Sequence, residues 1–146
     1  MKKLVLIGLV LAAAYFGGVE SGFIPGKQGD GSSSRGADQA LAAAFEKHQS
    51  NVQVQSSGRV VRVLPDDNEG SRHQRFIIRL SSGQTLLVAH NIDLANRVTP
   101  LQAGDAVEFN GEYEWNAQGG VIHWTHRDPQ RSHVDGWIKH DGRTYQ

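Results

Sequence analysis

The stretch AGDAVEFNGEYEWN, residues 103–116, alternates between apolar and polar residues from Val107 to Trp115. Successive residues of a β-strand point to opposite faces, so this pattern predicts a strand with one face on a core and one in water. The pair Asn110-Gly111 often forms a hairpin turn, but the alternation continues through it in phase. We therefore predict one strand with a bend or bulge at Gly111. The expected inner face holds Val107, Phe109, Gly111, Tyr113 and Trp115, and the expected outer face holds Glu108, Asn110, Glu112 and Glu114.

Other segments with strand character lie on both sides of this one. Each is rich in β-branched or alternating residues and is bounded by turn residues. Gly58 lies where a long first strand could bend, and Ser81-Ser82-Gly83 predicts the turn of a hairpin between the second and third strands. The predicted strands cover residues 52–64, 73–80, 84–90, 103–116 and 121–126.

Two short helical segments accompany these strands. Residues 37–49 contain good helix formers, and spacings of three and four predict a short helix with Leu41 and Phe45 on the domain. Residues 91–101 have too few periodic positions for a long helix, and Pro100 ends any helix there. We expect one or two helical turns in that connection.

The chain ends in a further hairpin signal. Residues 136–146 place Trp137 and Ile138 before an Asp141-Gly142 turn and Tyr145 after it. We expect this hairpin to cover an open edge of the sheet and to stabilise the domain.

The order of elements predicts a mainly β fold. Five strands with a long bent first strand, a hairpin and a short helical connection resemble the OB-fold, a five-stranded barrel whose second and third strands bind ligands in many relatives. The prediction is an OB-like β-barrel domain over residues 37–146, with a short helix at its start.

The N-terminus has the pattern of an export signal. Met1-Lys2-Lys3 precedes an uncharged apolar run over residues 4–19, which is shorter than the roughly 20 residues of a typical membrane-spanning helix. Residues 1–24 are therefore predicted to be a signal peptide or an N-terminal membrane anchor, and residues 25–36 a flexible linker rich in Gly and Ser. The expected location is periplasmic, secreted or anchored in a bacterial inner membrane.

Charge and cysteine content exclude some classes of partner and of metal site. Lys plus Arg and Asp plus Glu number 15 each, so no overall field attracts nucleic acid or an anionic membrane. The chain has no cysteine, which excludes disulfides and thiolate zinc sites.

The stretch HWTHRDPQRSHVDGWIKHDG, residues 123–142, holds four of the seven histidines. With one carboxylate, such a set suits zinc, or copper or nickel. On a regular strand His123 and His126 face opposite sides, so a shared metal requires the strand to end or bulge near Thr125. The alternative is that the histidines cap strand ends and the tryptophans seal the barrel. The candidate metal ligands are His123, His126, His133 and Asp128.

Other residues suggest different ligands. His73 and His90 are expected at the same end of the hairpin, and the candidate ligand-binding set is His73, Arg75, His90, Trp124 and Trp137. Single-stranded nucleic acid would use arginines with Phe76, Trp115 and Trp124. However, Phe76 and Trp115 lie on apolar faces, and the glutamates of strand four could pair with the arginines. An oligosaccharide or peptide could stack on Trp124, Trp137 or Tyr145.

A hydrolase is the rival hypothesis. Asp66, Asp67 and Glu69 form an acidic cluster that could serve metal-assisted phosphodiester hydrolysis with His73. The other explanation is a solvated turn. No phosphate-binding glycine loop or nucleophile elbow is present. Binding is therefore favoured over catalysis, and the hydrolase would use His73, His123, His126 or His133 with Asp128 or Asp66.

Four phrases also resemble a known family. LPDDNEGSRHQRF, AHNIDLA, GDAVEFNGEYEWN and GGVIHWTHRDP are similar to a family of small exported bacterial proteins known only as a domain of unknown function. The resemblance spans Gly58 to Gln146 and implies an OB-like barrel and a location outside the cytoplasm. It implies no catalytic residues.

Overall fold

The computed structural model describes residues 31–146, with side chains from residue 34 onward. The predicted signal or anchor, residues 1–24 with the apolar run 4–19, lies outside the described residues, as does the first part of the predicted linker. Within residues 31–146, no helix is long and apolar enough to span a membrane.

Helix α1, Gly31–Glu46, packs against the barrel. It begins inside the segment predicted to be a linker. Leu41 and Ala44 are almost fully buried in the core, as predicted for Leu41. His48 ends the helix in the left-handed conformation, with φ of 53°. Its N–H and that of Gln49 donate to the carbonyls of Phe45 and Ala44, which is a Schellman motif.

Seven strands follow the helix, and five of them close into a ring. The strands are β1 Val52–Asp67, β2 His73–Arg79, β3 Thr85–Asn91, β4 Ala106–Glu114, β5 Val121–His123, β6 Trp137–His140 and β7 Arg143–Tyr145. In the ring, β1 pairs with β2, β2 with β3, β3 with β5, β5 with β4, and β4 with β1. The β3–β5 pair is parallel and the others are antiparallel. This is the predicted five-stranded OB-like barrel.

The long strand β1 pairs with two other strands. Its first half pairs with β4 and its second half with β2, and Arg59 is shared by both ladders. A Cβ on Gly58 would lie 2.9 Å from the carbonyl oxygen of Arg79. At Gly58, where a bend was predicted, β1 and β2 therefore approach each other too closely to accommodate a side chain.

Strand β4 runs through Gly111 without interruption. Its register with β1 is regular from Ala106 to Tyr113, so the predicted bulge is absent. A Cβ at Gly111 would lie 2.7 Å from the carbonyl oxygen of His123. Glycine is needed because β5 ends directly beside it.

The edge of β4 opposite β1 is divided between two partners. Residues 112–114 pair with β5 and residues 108–110 pair with β6. Hairpin β6–β7 therefore covers the open edge, as predicted. Its turn residues Asp141 and Gly142 have φ values of 50° and 76°, as a type I′ turn requires.

The connection from β3 to β4 begins with one turn, in which the Ala95 N–H donates to the Asn91 carbonyl. The buried Gln74 amide holds this connection by bonding both the N–H and the C=O of Val98 at 2.8 Å. The barrel interior is continuous with the buried face of α1. The core is Leu41, Ala44, Val54, Val60, Phe76, Ile78, Leu80, Leu86, Val88, Val98, Val107, Phe109, Tyr113, Ile122, Ile138 and Tyr145.

Candidate functional site

Strand β5 ends at His123, and the chain reverses at the next residue. Trp124 adopts a left-handed conformation, with φ of 53°. This conformation is slightly unfavourable for a residue other than glycine. Residues 124–136 leave the sheet and form a loop, here called the histidine loop. The strand therefore ends before Thr125. A metal ion shared by His123 and His126 was predicted to require such an end.

Asp128 organises the histidine loop. Its carboxylate accepts hydrogen bonds from the N–H groups of Gln130, Ser132 and His133 and from the Ser132 hydroxyl. Although burial raises the pKa of Asp128, the bonds from these groups outweigh it and hold that pKa well below its usual range. These bonds occupy the acceptor positions that the predicted metal-ligand role would need.

Aromatic rings pack along the loop. The Trp124 and His133 rings are stacked with centroids 4.4 Å apart, and the His126 and His133 rings meet edge to face at 5.2 Å. The His123 ring also contacts the Trp124 ring, and their centroids are 4.8 Å apart. His123 and His133 therefore contact Trp124, and His126 contacts His133. The fourth predicted ligand, Asp128, has Oδ2 3.8 Å from His133 Nε2.

Three imidazoles share one hydrogen-bond arrangement. The Nδ1 atoms of His73, His126 and His133 lie 2.7–2.8 Å from the carbonyl oxygens of Ser71, Arg127 and Val134. A carbonyl can only accept, so Nδ1 carries the proton and Nε2 carries the lone pair. Metal-binding histidines in proteins use the same arrangement to orient the ring.

His90 differs because both of its nitrogens are engaged inside the barrel. Nδ1 lies 2.7 Å from the Thr125 hydroxyl and Nε2 lies 2.9 Å from the Asn96 carbonyl. Burial lowers the pKa of His90 to about 4. Of the two predictions for His90, ligand contact and structural hydrogen bonding, the arrangement matches structural hydrogen bonding.

His123 faces two carboxylates across the β4–β5 ladder. Glu112 and His123 are paired residues in that ladder. His123 Nε2 lies 3.5 Å from Glu114 Oε1 and 3.9 Å from Glu112 Oε2. It is buried, and among the described residues no group makes a hydrogen bond to it. Burial lowers the pKa of His123 to about 4, so the ring is neutral at pH 7.

The sequence reasoning missed Glu112 and Glu114 as site residues. Alternation placed both on the outer face of β4, and that was the available signal. It did not show that β5 brings His123 beside them, because the pairing register is set by the turn between the two strands. Burial raises the pKa of Glu114, which is consistent with a carboxylate partly covered by the loop.

The histidines are close enough to influence one another. Positive charge on His133, His73 or His126 lowers the pKa of His123, after the larger effect of burial. His126 and His73 act on His90 in the same direction. In residues 31–146, however, no three His, Asp or Glu side chains are grouped tightly enough to hold a metal ion in this conformation.

The remaining predicted binding residues lie elsewhere. The Arg75 guanidinium donates twice to the Pro65 carbonyl. Trp137 lies on the outer face of β6 with Lys139 Nζ 4.4 Å from the centre of its ring.

Two of the three stacking residues expected for nucleic acid, Phe76 and Trp115, make contacts within the domain. Phe76 is fully buried in the core. The Trp115 indole donates to the Phe45 carbonyl and stacks on His48. Phe76 therefore packs inside the barrel, and Trp115 connects the barrel to α1.

Two of the arginines form ion pairs with aspartates. Arg97 and Arg72 pair with Asp66 and Asp93, whereas Glu114 lies beside His123. The Arg97 side chain holds the pKa of Asp66 below its usual value. Asp66 is thus committed to an ion pair, which does not suit the predicted role with His73 in a hydrolase.

The fold and the site define a small OB-like barrel closed by an N-terminal helix and a histidine loop. The family model that matches residues 30–146 is described as a protein of unknown function, DUF3465, and the chain belongs to this family. The match includes α1 as well as the predicted span from Gly58 onward. No curated protein matches the chain.

Proposed function

We propose that this protein is an exported or membrane-tethered binding module whose ligand is a divalent metal ion. The single observation that supports the proposal is the buried Nε2 of His123, which lies 3.5 Å from Glu114 Oε1 and 3.9 Å from Glu112 Oε2. The apolar run over residues 4–19 behind two lysines supports the exported or tethered location.

The spacing suits a metal ion better than an ion pair. Two donors that each bind a tetrahedral zinc at about 2 Å are roughly 3.4 Å apart. Because the His123 ring is neutral at pH 7, its attraction to the two glutamates is weak without a cation. A neutral imidazole is also the form that binds metal.

Completing the site requires side chains of β4 and of the histidine loop to move. The Glu112 and His123 side chains are buried, whereas the Glu114 side chain is 41% exposed and has room to rotate toward Nε2. The histidine loop would supply a further nitrogen from His126 or His133, whose Nδ1 atoms are already held by carbonyls. A mixed nitrogen and oxygen donor set favours zinc, with copper or nickel as alternatives.

Calorimetric titration of the untagged full chain with zinc chloride at pH 7.5 tests this proposal. We expect one equivalent to bind, and Glu114→Gln to weaken the affinity by at least about tenfold, because it removes one charged ligand. Glu108→Gln is the matched control, since Glu108 lies on the same face of β4 but next to Lys139. This control should bind as the unchanged chain does.

Two results would contradict the proposal. One is the absence of binding by zinc, copper and nickel. The other is equal affinity in Glu114→Gln and Glu108→Gln, which would place any metal elsewhere. A proton shared between His123 and the glutamates is the competing explanation, and it requires the His123 ring to be protonated at pH 7 in an NMR titration.

A further inference from the structure

The outer surface of the β1–β2 pair carries a row of arginines. Arg59 and Arg79 are directly opposed in the ladder, and Arg75 lies four residues before Arg79 on the same face of β2. Their neighbours Phe76 and Ile78 point into the core, so these arginines point away from it. Like charges directly opposite each other in a sheet are destabilising.

The two bonded guanidinium groups are held by uncharged acceptors. Arg59 Nη1 donates to the Gly104 carbonyl at 2.8 Å, and Arg75 Nε and Nη2 donate to the Pro65 carbonyl at 2.9 and 2.8 Å. Such bonds fix the position of a guanidinium but leave its charge uncompensated. Arginine held in this way is suited to bind phosphate or carboxylate oxygens.

Two carboxylates near the row are paired with other arginines. Asp66 is bonded to Arg97, and its pKa is lowered further by the charges of Arg72 and Arg75. Asp93 pairs with Arg72. Neither aspartate is bonded to Arg59, Arg75 or Arg79, so the row keeps its charge although the whole chain is neutral by formal charge.

The spacing of the three arginines indicates a ligand that carries several anionic groups in a row. Arg59 and Arg79 are about 5 Å apart at Cβ, and Arg75 lies about 13 Å along β2 from Arg79. This separation is too large for one small anion to contact all three. Aromatic stacking is missing as well, because Phe76 of the same strand is fully buried. This surface therefore suits a ligand that is recognised by its charge better than a nucleic acid whose bases stack on aromatic side chains.

We propose that the outer face of β1–β2 binds a linear polyphosphate, a chain of phosphate groups without bases, through Arg59, Arg75 and Arg79. This site is separate from the histidine loop and does not depend on metal binding. Its affinity should fall steeply with salt, because each phosphate contact releases counterions.

Titration of the full chain with inorganic polyphosphate at low and moderate salt tests the proposal. We expect Arg59→Gln with Arg79→Gln to weaken binding about tenfold or more and to reduce the slope of log K against log salt by roughly 1 to 2. Arg35→Gln with Arg143→Gln is the matched control. It removes the same net charge from exposed residues outside this face, and it should bind with nearly unchanged affinity.

Folding and binding can be separated in these variants. Removing one of two opposed arginines relieves repulsion, so thermal stability should be equal or higher in Arg79→Gln. The proposal is overturned by an absence of polyphosphate binding at low salt, or by an equal loss in the control pair. It is also overturned if an oligothymidylate of the same charge binds more tightly, because that result indicates nucleic acid.

Discussion

His90 and Thr125 are joined by a hydrogen bond of 2.7 Å between the imidazole Nδ1 and the threonine hydroxyl. His90 lies in β3 and is fully buried, whereas Thr125 lies just beyond the end of β5. Because Nε2 faces the Asn96 carbonyl, it carries the proton, and Nδ1 accepts from the hydroxyl. This bond connects the barrel interior to the start of the histidine loop.

The first prediction is a loss of stability in mild acid. The pKa of His90 is about 4 in the folded protein against 6.5 for the free group, so the unfolded chain takes up its proton first. The stability is present above pH 6.5 and is lost as the pH falls toward 4, by up to about 3 kcal/mol from His90. Urea unfolding at pH 7.5 and 4.5 measures it. His90→Gln should remove only the His90 part of this dependence, because the pKa of His123 is also lowered to about 4, and His48→Gln, an exposed position, should leave the dependence unchanged.

Removing the threonine hydroxyl should destabilise the domain at neutral pH. Thr125→Val leaves the buried Nδ1 of His90 without a donor, which costs about 1–3 kcal/mol. Thr144→Val, on the exposed face of β7, should change the free energy of unfolding by less than about 0.5 kcal/mol. Equal effects of the two substitutions in urea unfolding would show that the bond is unimportant.

Gly111→Ala should be costly in spite of its small size. The added Cβ would lie 2.7 Å from the His123 carbonyl oxygen and 2.8 Å from the Ile122 side chain, so β4 and β5 must separate. We expect a loss of about 1–3 kcal/mol in chemical unfolding. Gly36→Ala in α1 meets no atom within 4 Å and should stabilise the protein by up to about 1 kcal/mol. A neutral Gly111→Ala would contradict the close approach of the strands.

The docking of α1 should depend on a buried carboxylate. Asp38 is 4% exposed and accepts hydrogen bonds of 2.6 Å from the hydroxyls of Ser56 and Ser81. Asp38→Ala leaves both hydroxyls unpaired and should cost about 2–4 kcal/mol. Adding Ser56→Ala and Ser81→Ala should recover part of that loss in thermal unfolding. A cost below 0.5 kcal/mol, roughly the value for a surface change, would mean that the helix is held by apolar contacts alone.

Asp128→Ala should loosen the histidine loop more than the barrel. The substitution removes the acceptor for three backbone N–H groups of the loop. We expect faster proteolysis after Arg127 or Arg131 and altered fluorescence of Trp124, which stacks on His133. Asp135→Ala is a milder comparison, because Asp135 accepts only the Asp128 N–H in this loop. Unchanged proteolysis would show that the loop is organised without Asp128.

Most of the barrel could be predicted from local patterns. The alternation in β4, the hairpin turn at Ser81-Ser82-Gly83 and the Asp141-Gly142 turn each correspond to a feature of the fold. The start of α1 could not be predicted, because the Gly- and Ser-rich segment before Ala37 is typical of a linker. Its helical state depends on packing and on the bonds of Asp38 to the barrel.

The candidate site was predicted only in part. His123 and His133 do contact Trp124, and His126 contacts His133. Asp128 instead organises the loop, and Glu112 and Glu114 were not expected. A strand pattern of period two shows which side chains share a face, but it does not show which strand lies alongside or in what register.

The sequence by itself therefore determined the fold class, the faces of the strands and the turns, because these depend on residues close together in the chain. The tertiary structure alone decided that β5 ends beside Gly111 and that His123 meets two glutamates of β4. It also placed Arg59 opposite Arg79. These contacts join residues far apart in sequence, and they exist only because closing the barrel is the arrangement that buries the apolar faces of all five strands together.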